Sequence, residues 1–303
     1  MDKSLIELSE KFRNGQVNRR EFIQRVVVLA GGVAAAAPLL HQLGFDSGLI
    51  REANALGSNI ETMDVEFPSG GDLIPAYLAK PVGPGPFKTM IVIHEIFGLS
   101  NFIKDVARLM ARNNYLALAP CFSEGNCTGG LPDGKHAQWM LDTLQTGVAR
   151  VPDDEQDKLR DAYAFLSKRE DVDPDHIGSV GFCWGGARSF TFATLNSKLW
   201  AAVVFYGSTP PLDDLNNINS PVLALYGALD NNSPTSITGR AAETAREMRV
   251  RSPKAFEWEV YNQAVHGFFR AGTPPDDHVA DTRPALIAKD LMFDFLDRYY
   301  DRG

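Results

Sequence analysis

Cysteine is scarce in this chain, with 3 residues among 303. So few cysteines exclude the disulfide framework that supports small secreted domains. Neither a Cys-x-x-Cys nor a His-Glu-x-x-His arrangement occurs. Because such spacings are typical of zinc and redox sites, we predict that the protein binds no metal ion and no cofactor.

Positive charge and long apolar runs are limited as well. The formal net charge is -8, and no cluster of lysine and arginine follows the first 55 residues, which argues against nucleic-acid binding. The apolar stretch Val26–Leu40 is interrupted by Gly31 and Gly32 and is too short for a stable membrane span. Hydrophobic residues make up 44% of the chain, enough for the core of one catalytic domain over residues 56–303.

The segment Gly181–Gly186, with the sequence GFCWGG, has the pattern glycine, any residue, nucleophile, any residue, glycine. The preceding residues His176–Val180 are typical of a strand, and Ala187–Leu195 are typical of a helix. A strand, a tight turn and a helix form the nucleophile elbow of hydrolases, in which glycines avoid clashes beside the nucleophile. We therefore predict an enzyme with Cys183 as nucleophile. The alternative is a buried small hydrophobe.

Two later residues are candidates for the other members of a catalytic triad. Asp230 follows the apolar run Pro221–Tyr226, and His266 follows the alternating strand pattern of Phe256–Tyr261. The order nucleophile, acid, histidine, each after a strand, is the order of α/β-hydrolase triads. The alternatives are a loop or helix-cap carboxylate and a surface histidine. Together, the order and placement favour catalysis.

The remaining patterns alternate strands with helices, which predicts an α/β fold with a mostly parallel central sheet, helices on both faces and a leading antiparallel hairpin. The connection over residues 120–151 is long and rich in glycine and proline, which is typical of a cap or a pocket wall. The predicted elements are a hairpin of Ile60–Phe67 and Leu73–Lys80, strands Thr89–His94 and Tyr115–Ala119, and helices Asn101–Arg112 and Asp153–Lys168.

The N-terminal 55 residues resemble a twin-arginine export signal. Arg19 and Arg20 precede Phe22 and a weakly apolar stretch, and Ala53–Ala55 offers a site with small residues for cleavage. We therefore expect periplasmic localisation through the twin-arginine machinery. The alternative is a cytoplasmic protein with a retained N-terminal arm, since Ser4–Phe12 has helical spacing of apolar residues.

The motifs around Cys183, Asp230 and His266, together with His94–Leu99 (HEIFGL), resemble those of the dienelactone hydrolase family. This family is carboxymethylenebutenolidase-like and has the α/β-hydrolase fold, and the resemblance covers roughly residues 60–300. It implies hydrolysis of a small ester or lactone by a Cys-Asp-His triad through a covalent thioester. It also implies that Glu95 contacts the resting thiol and is redirected when substrate binds.

A free cysteine has a pKa of about 8.5, so a base is needed to produce the thiolate. His266, oriented by Asp230, is one candidate, and Glu95 is a second if burial raises its pKa. The alternative for Glu95 is a carboxylate near the start of the helix at Asn101. The backbone N–H groups of Trp184 and Ile96 are the expected oxyanion donors.

Arg270 matches a position at which the family holds a substrate carboxylate, and a guanidinium suits bidentate carboxylate binding. A solvated surface arginine is the alternative. The family's second anion-binding arginine has no secure counterpart in this sequence. Around the thiol, we predict an aromatic substrate pocket formed by Phe182, Trp184, Trp139 and Phe269.

In an oxidising compartment Cys121 and Cys127 could pair across their short loop, which would leave Cys183 free. Two other functions stay open at this point. One is a different acyl-transfer enzyme, such as a thioesterase or peptidase, and the other is a non-catalytic binding protein on the same fold. An oligomer is also possible on this sequence.

Overall fold

The computed structural model describes residues 3–30, 33–45, 48–50, 53, 59–122, 127, 148, 153–230, 236–252, 254–274 and 276–300. The chain divides into two compact units, Met1–Ile60 and Glu61–Gly303. Each unit has its own hydrophobic core.

The N-terminal unit consists of helices α1 (Lys3–Arg13), α2 (Arg19–Leu29) and α3 (Val33–Gln42). Helix α2 begins where the Asn18 side chain accepts a hydrogen bond of 2.9 Å from the Glu21 N–H, which is a standard N-cap. The ring of Phe22 is fully buried and stacks on Phe12 at a centroid distance of 4.4 Å. The paired arginines of the sequence are therefore the first two residues of a helix whose apolar face is packed.

None of the helices in the described ranges combines the length and the hydropathy that crossing a membrane requires.

The second unit is built on an eight-stranded sheet with the order β1-β2-β4-β3-β5-β6-β7-β8. Strand β2 pairs antiparallel with β4, and every pair from β4 to β8 is parallel. The strands are β1 (Ile60–Ser69), β2 (Asp72–Pro81), β3 (Phe87–Ile93), β4 (Tyr115–Pro120), β5 (Val172–Phe182), β6 (Ala202–Phe205), β7 (Val222–Gly227) and β8 (Phe256–Tyr261).

The helices of this unit pack against the sheet. Helix α4 is amphipathic, and its buried residues Phe102, Val106 and Met110 recur at the helical spacing that places them on one face. The helices are α4 (Asn101–Arg112), α5 (Asp153–Ser167), α6 (Trp184–Leu195), α7 (Ala241–Arg251) and α8 (Arg283–Tyr300). A 3₁₀ helix (Leu212–Asn217) and a short ribbon of β9 (Arg270–Ala271) and β10 (His278–Val279) complete the unit.

The predicted fold class is confirmed, including the leading hairpin and the parallel sheet. Gly70 and Gly71 close the hairpin with φ values of 59° and 96°, a conformation that glycine adopts without strain. The predicted strand over residues 176–180 is longer in the structure and begins at Val172. Strand β6 has no counterpart in the prediction, because a run of four residues carries little periodicity.

The parallel strands end at one edge of the sheet, as in other open α/β folds, whose ligands bind at that edge. The loops that follow β3, β5, β6, β7 and β8 carry Glu95, Cys183, Tyr206, Asp230 and His266 in turn. The topology thus brings together residues that are far apart in the sequence.

Candidate active site

The turn between β5 and α6 has the geometry of a nucleophile elbow. Cys183 has φ 54° and ψ -112°, a left-handed conformation that is uncommon for a residue with a side chain. A Cβ atom at Gly181 would lie 1.9 Å from the Gly185 carbonyl oxygen, so the turn closes only with glycine there. The Cys183 N–H donates to the Phe205 carbonyl at 3.0 Å and ties the elbow to β6.

Cys183 is half-buried and is the free cysteine of the described residues. Cys121 and Cys127 form a disulfide, with their Cα atoms 5.5 Å apart. Cys183 is therefore the candidate nucleophile, because its thiol is not oxidised in this structure.

Asp230 and His266 meet at the end of the sheet. The His266 Nδ1 atom lies 2.8 Å from Asp230 Oδ2, and the carboxylate is buried. Their loops are joined by two backbone hydrogen bonds, from the Ala228 N–H to the Tyr261 carbonyl at 3.0 Å and from the Leu229 N–H to the Ala264 carbonyl at 2.9 Å. The backbone therefore sets the distance between acid and histidine.

The His266 ring also interacts with the thiol. Packing of the ring lowers the pKa of His266, but the Cys183 thiolate and the hydrogen bond to Asp230 outweigh this and hold that pKa well above its usual value. The environment thus favours the protonated imidazole, the form that can give a proton to a leaving group.

Glu95 lies just past β3 and is buried at the same edge. Its Oε2 atom lies 2.9 Å from Arg270 Nε, an ion pair whose N–H is poorly aligned for a hydrogen bond. Burial raises the pKa of Glu95 to about 7, although the positive charge of Arg270 works against the rise. The carboxyl group therefore exchanges a proton near neutral pH, as a general base must.

Arg270 lies at the start of β9 and is about one-fifth exposed. Its Nη1 donates to the Gly272 carbonyl at 3.0 Å, and its guanidinium lies 5.0 Å from the centre of the Phe97 ring. The structure thus places Arg270 beside Glu95, where a substrate carboxylate would compete with Glu95 for the same guanidinium.

Tyr206 is a further residue of the site, and the sequence analysis missed it. It follows β6 with φ 40°, and its ring lies 5.0 Å from that of His266. Burial raises the pKa of Tyr206 well above its usual value, and the negative charge of Glu95 raises that pKa further. The sequence signal for Tyr206 was the apolar run over residues 201–205, because the loop after this run lies at the same sheet edge as the other loops of the site.

The aromatic residues expected around the thiol are placed differently. Phe182 and Phe269 are fully buried, and their rings stack at 5.7 Å within the core. Neither ring presents surface to solvent, so both support the elbow and the histidine loop from behind rather than form a pocket wall. Trp184 is buried as well and stacks on His94 at 5.0 Å. Trp139 lies outside the described residues.

The two expected oxyanion donors lie on segments that touch each other. Trp184 is the first residue of α6, and Ile96 lies in the turn after β3. A Cβ atom at Gly185 would lie 2.3 Å from the Ile93 carbonyl oxygen and 2.4 Å from that of His94, so the elbow packs directly on this turn. The segments that carry Trp184 and Ile96 are therefore neighbours in the structure.

A groove of about 900 Å³ opens beside His266, between the histidine loop and the start of α8. Arg270 and the exposed Arg283 line it, and no acidic side chain does so among the described residues. In a protein with a net charge of -8, this lining is suited to an anionic ligand.

Comparison with known proteins identifies the family. The model of the dienelactone hydrolase family matches residues 74–300. A protein of Escherichia coli O157:H7 named for carboxymethylenebutenolidase is 37% identical over 259 residues, which cover 77% of this chain and 90% of that protein. A protein of Methylorubrum extorquens with the same name is 31% identical and covers 88% of both chains.

A crystal structure named for dienelactone hydrolase, from Klebsiella pneumoniae, superposes with a TM-score of 0.65 at 28% identity and covers 80% of this chain and all of that one. The family match spans strands β3 to β8, the elbow and the loops that carry the site. The chain therefore belongs to the dienelactone hydrolase family, whose members are hydrolases of esters and lactones with the α/β-hydrolase fold.

Proposed function

We propose that the protein hydrolyses a small ester or lactone through a thioester on Cys183, with His266 and Asp230 completing the triad. One observation carries this proposal: the His266 ring, whose Nδ1 lies 2.8 Å from the Asp230 carboxylate, is on a loop at the same sheet edge as the elbow that carries Cys183. This is the arrangement of nucleophile, base and orienting acid that acyl transfer requires.

In the proposed first step the Cys183 sulfur attacks the carbonyl carbon, and the carbonyl oxygen takes the negative charge. The N–H groups of Trp184 and Ile96 stabilise this oxyanion. The C–O bond to the leaving oxygen then breaks, and His266 protonates that oxygen. In the second step His266 removes a proton from water, the hydroxide attacks the thioester, and the carboxylic acid and the Cys183 thiolate are released.

Glu95 and Arg270 give the site a preference for acidic substrates in this proposal. In the protein without substrate, the Glu95 carboxylate lies 2.9 Å from the guanidinium of Arg270. A substrate carboxylate that binds Arg270 removes this partner, which makes Glu95 a stronger base. Glu95 then passes the proton of the thiol to His266, the group that protonates the leaving oxygen. Arg283, on the same groove, adds positive charge farther from the reacting carbonyl. The physiological substrate is thus a small ester or lactone with at least one carboxylate.

Trapping of the acyl enzyme tests the function. A His266→Gln variant lacks the base for deacylation, so incubation with an activated aryl ester should add one acyl mass to the peptide that contains Cys183. A Cys183→Ala variant should acquire no such mass and should hydrolyse neither aryl esters nor acidic lactones. Acylation of another residue, or full activity of the Cys183→Ala variant, would remove Cys183 from the nucleophile role.

We also propose that the protein is exported by the twin-arginine route. The paired residues Arg19 and Arg20 and the disulfide of Cys121 and Cys127 support this, because disulfides persist in oxidising compartments. Fractionation of cells that produce the native chain, or a variant with both arginines changed to lysine, tests it. An intact N-terminus in the cytoplasm for both chains would contradict export.

A further inference from the structure

A buried ion pair lies beneath the elbow and has no part in the steps above. Arg188, on α6, is 1% exposed, and its Nη2 contacts Glu155 Oε2 of α5. Its Nη1 donates to the Trp184 carbonyl at 3.2 Å, and its Cζ lies 3.3 Å from the centre of the Trp184 ring. Burying an arginine so completely costs desolvation energy, which the ion pair with Glu155 offsets in part.

The Trp184 ring also stacks on a second buried residue, His94, with an interplanar angle of 2°. The Phe122 N–H donates to His94 Nε2 at 3.0 Å, so this nitrogen is an acceptor. The proton of the ring is then on Nδ1, which lies 2.5 Å from the Glu95 carbonyl oxygen. His94 is therefore neutral, and the charge of the stack is that of the guanidinium.

The guanidinium of Arg188 lies near the nucleophile, because it contacts both the carbonyl and the ring of Trp184, the residue that directly follows Cys183. Burial lowers the pKa of Arg188, whereas the negative charges of Glu155 and of the Cys183 thiolate raise it. Electrostatic interaction is reciprocal, so a guanidinium that gains from the thiolate also stabilises the thiolate. The other charged or titratable groups near either member are His266, Glu95 and Tyr206 on the thiol side, and Asp154 on the arginine side.

We propose that Arg188 is a positioning residue for the reaction: held by Glu155 and stacked on Trp184, it favours formation of the Cys183 thiolate and fixes the Trp184 backbone at the oxyanion site. This inference rests on the proposed function, in which Cys183 is the nucleophile. The two residues of the pair shift the equilibrium between thiol and thiolate at Cys183 in opposite directions. Arg188 favours the thiolate, and Glu155 both holds Arg188 in place and weakens its field.

The opposite directions separate this role from a merely structural one, in which the pair only joins α5 to α6. Arg188→Met leaves the Glu155 carboxylate near the thiol and should disfavour the thiolate. Glu155→Gln leaves the guanidinium without its counter-charge and should favour it. Loss of packing alone would move both variants in the same direction or leave the thiol unchanged.

The experiment measures the rate of iodoacetamide alkylation of Cys183 from pH 5 to pH 10 in the full chain, with Cys121 and Cys127 kept in their disulfide. We expect the rate profile of Arg188→Met to move to higher pH, with about a tenfold lower rate at neutral pH for each pH unit of displacement. We expect the profile of Glu155→Gln to move to lower pH. Displacement of both profiles in one direction, or of neither, would overturn the proposal.

Matched controls come from the same helix. Arg160 and Asp157 form an exposed ion pair on α5 at 2.6 Å, and Arg160→Met and Asp157→Asn should leave the alkylation profile in place. Should Arg188→Met fail to fold, Glu155→Gln alone decides: a shift to lower pH supports the proposal, and a shift to higher pH or none overturns it. Alkylation requires no ester turnover, so failure of this inference is distinguishable from failure of the proposed hydrolysis.

Discussion

Replacement of Glu95 by glutamine should change how the stability of the protein depends on pH. Burial raises the pKa of this carboxyl group from 4.5 to about 7, so the folded protein holds its proton more tightly than the unfolded chain does. The stability contributed by the protonated form is fully present below pH 4.5 and is lost as pH rises through about 7. The loss amounts to roughly 3 kcal/mol of unfolding free energy.

Glutamine has the shape of the protonated acid but does not ionise. In Glu95→Gln the decline of the unfolding free energy between pH 4.5 and pH 7 should therefore disappear. Near pH 8 the variant should be more stable than the natural chain by up to roughly 3 kcal/mol. Chemical denaturation at several pH values, followed by the fluorescence of the four tryptophans, measures this difference. His266 interacts with the charge of Glu95, so its titration is removed from the comparison by measuring both chains in a His266→Gln background.

The control is Glu66→Gln, which changes an exposed carboxylate on β1 and should leave the slope as it is. If Glu95→Gln keeps the slope of the natural chain, Glu95 is ionised throughout this range, and its assignment as a base with a neutral pKa would have to be abandoned.

Three further predictions concern the elbow, the acid and the substrate. Gly181→Ala should destabilise the unit by more than about 4 kcal/mol or prevent soluble expression, because its Cβ would lie 1.9 Å from a carbonyl oxygen. Denaturation curves measure this loss, and a loss below about 1 kcal/mol would contradict the geometry. Asp230→Asn should lower kcat by roughly 10²- to 10⁴-fold with little change in KM in ester kinetics, and an unchanged kcat would exclude it as the orienting acid. Arg270→Ala should raise KM for an acidic lactone by roughly tenfold or more while a neutral aryl ester is unaffected, and equal effects on both would remove Arg270 from carboxylate binding.

Local sequence patterns were enough to predict much of the fold. The predicted bounds of α4 and β8 match the structure, because α4 has one clear apolar face and β8 alternates between flanking turns. The elbow motif was visible for the same reason, since its glycines and its strand and helix are adjacent in sequence. The order of the triad followed from the fold class and one-dimensional spacing.

Pairings that depend on tertiary structure were not visible. The ion pair of Glu95 with Arg270 and that of Arg188 with Glu155 join segments from different loops or helices, and no spacing rule connects them. Tyr206 was missed because β6 is too short to give a period. Phe182 and Phe269 were expected in the pocket wall but lie in the core. An aromatic residue beside a nucleophile packs in the core as readily as in a pocket, and sequence alone does not give the direction of its side chain.

The backbone hydrogen bonds that join the acid loop to the histidine loop have a consequence for motion. When one loop shifts, the bonds from Ala228 and Leu229 carry the other along, so the separation of the Asp230 carboxylate and the His266 ring is preserved during thermal fluctuation. Cys183 is held by a different set of bonds, through β6. The bonds from Ala228 and Leu229 fix the acid and the histidine to each other, but they do not fix the distance between the imidazole and the Cys183 sulfur, across which the proton moves.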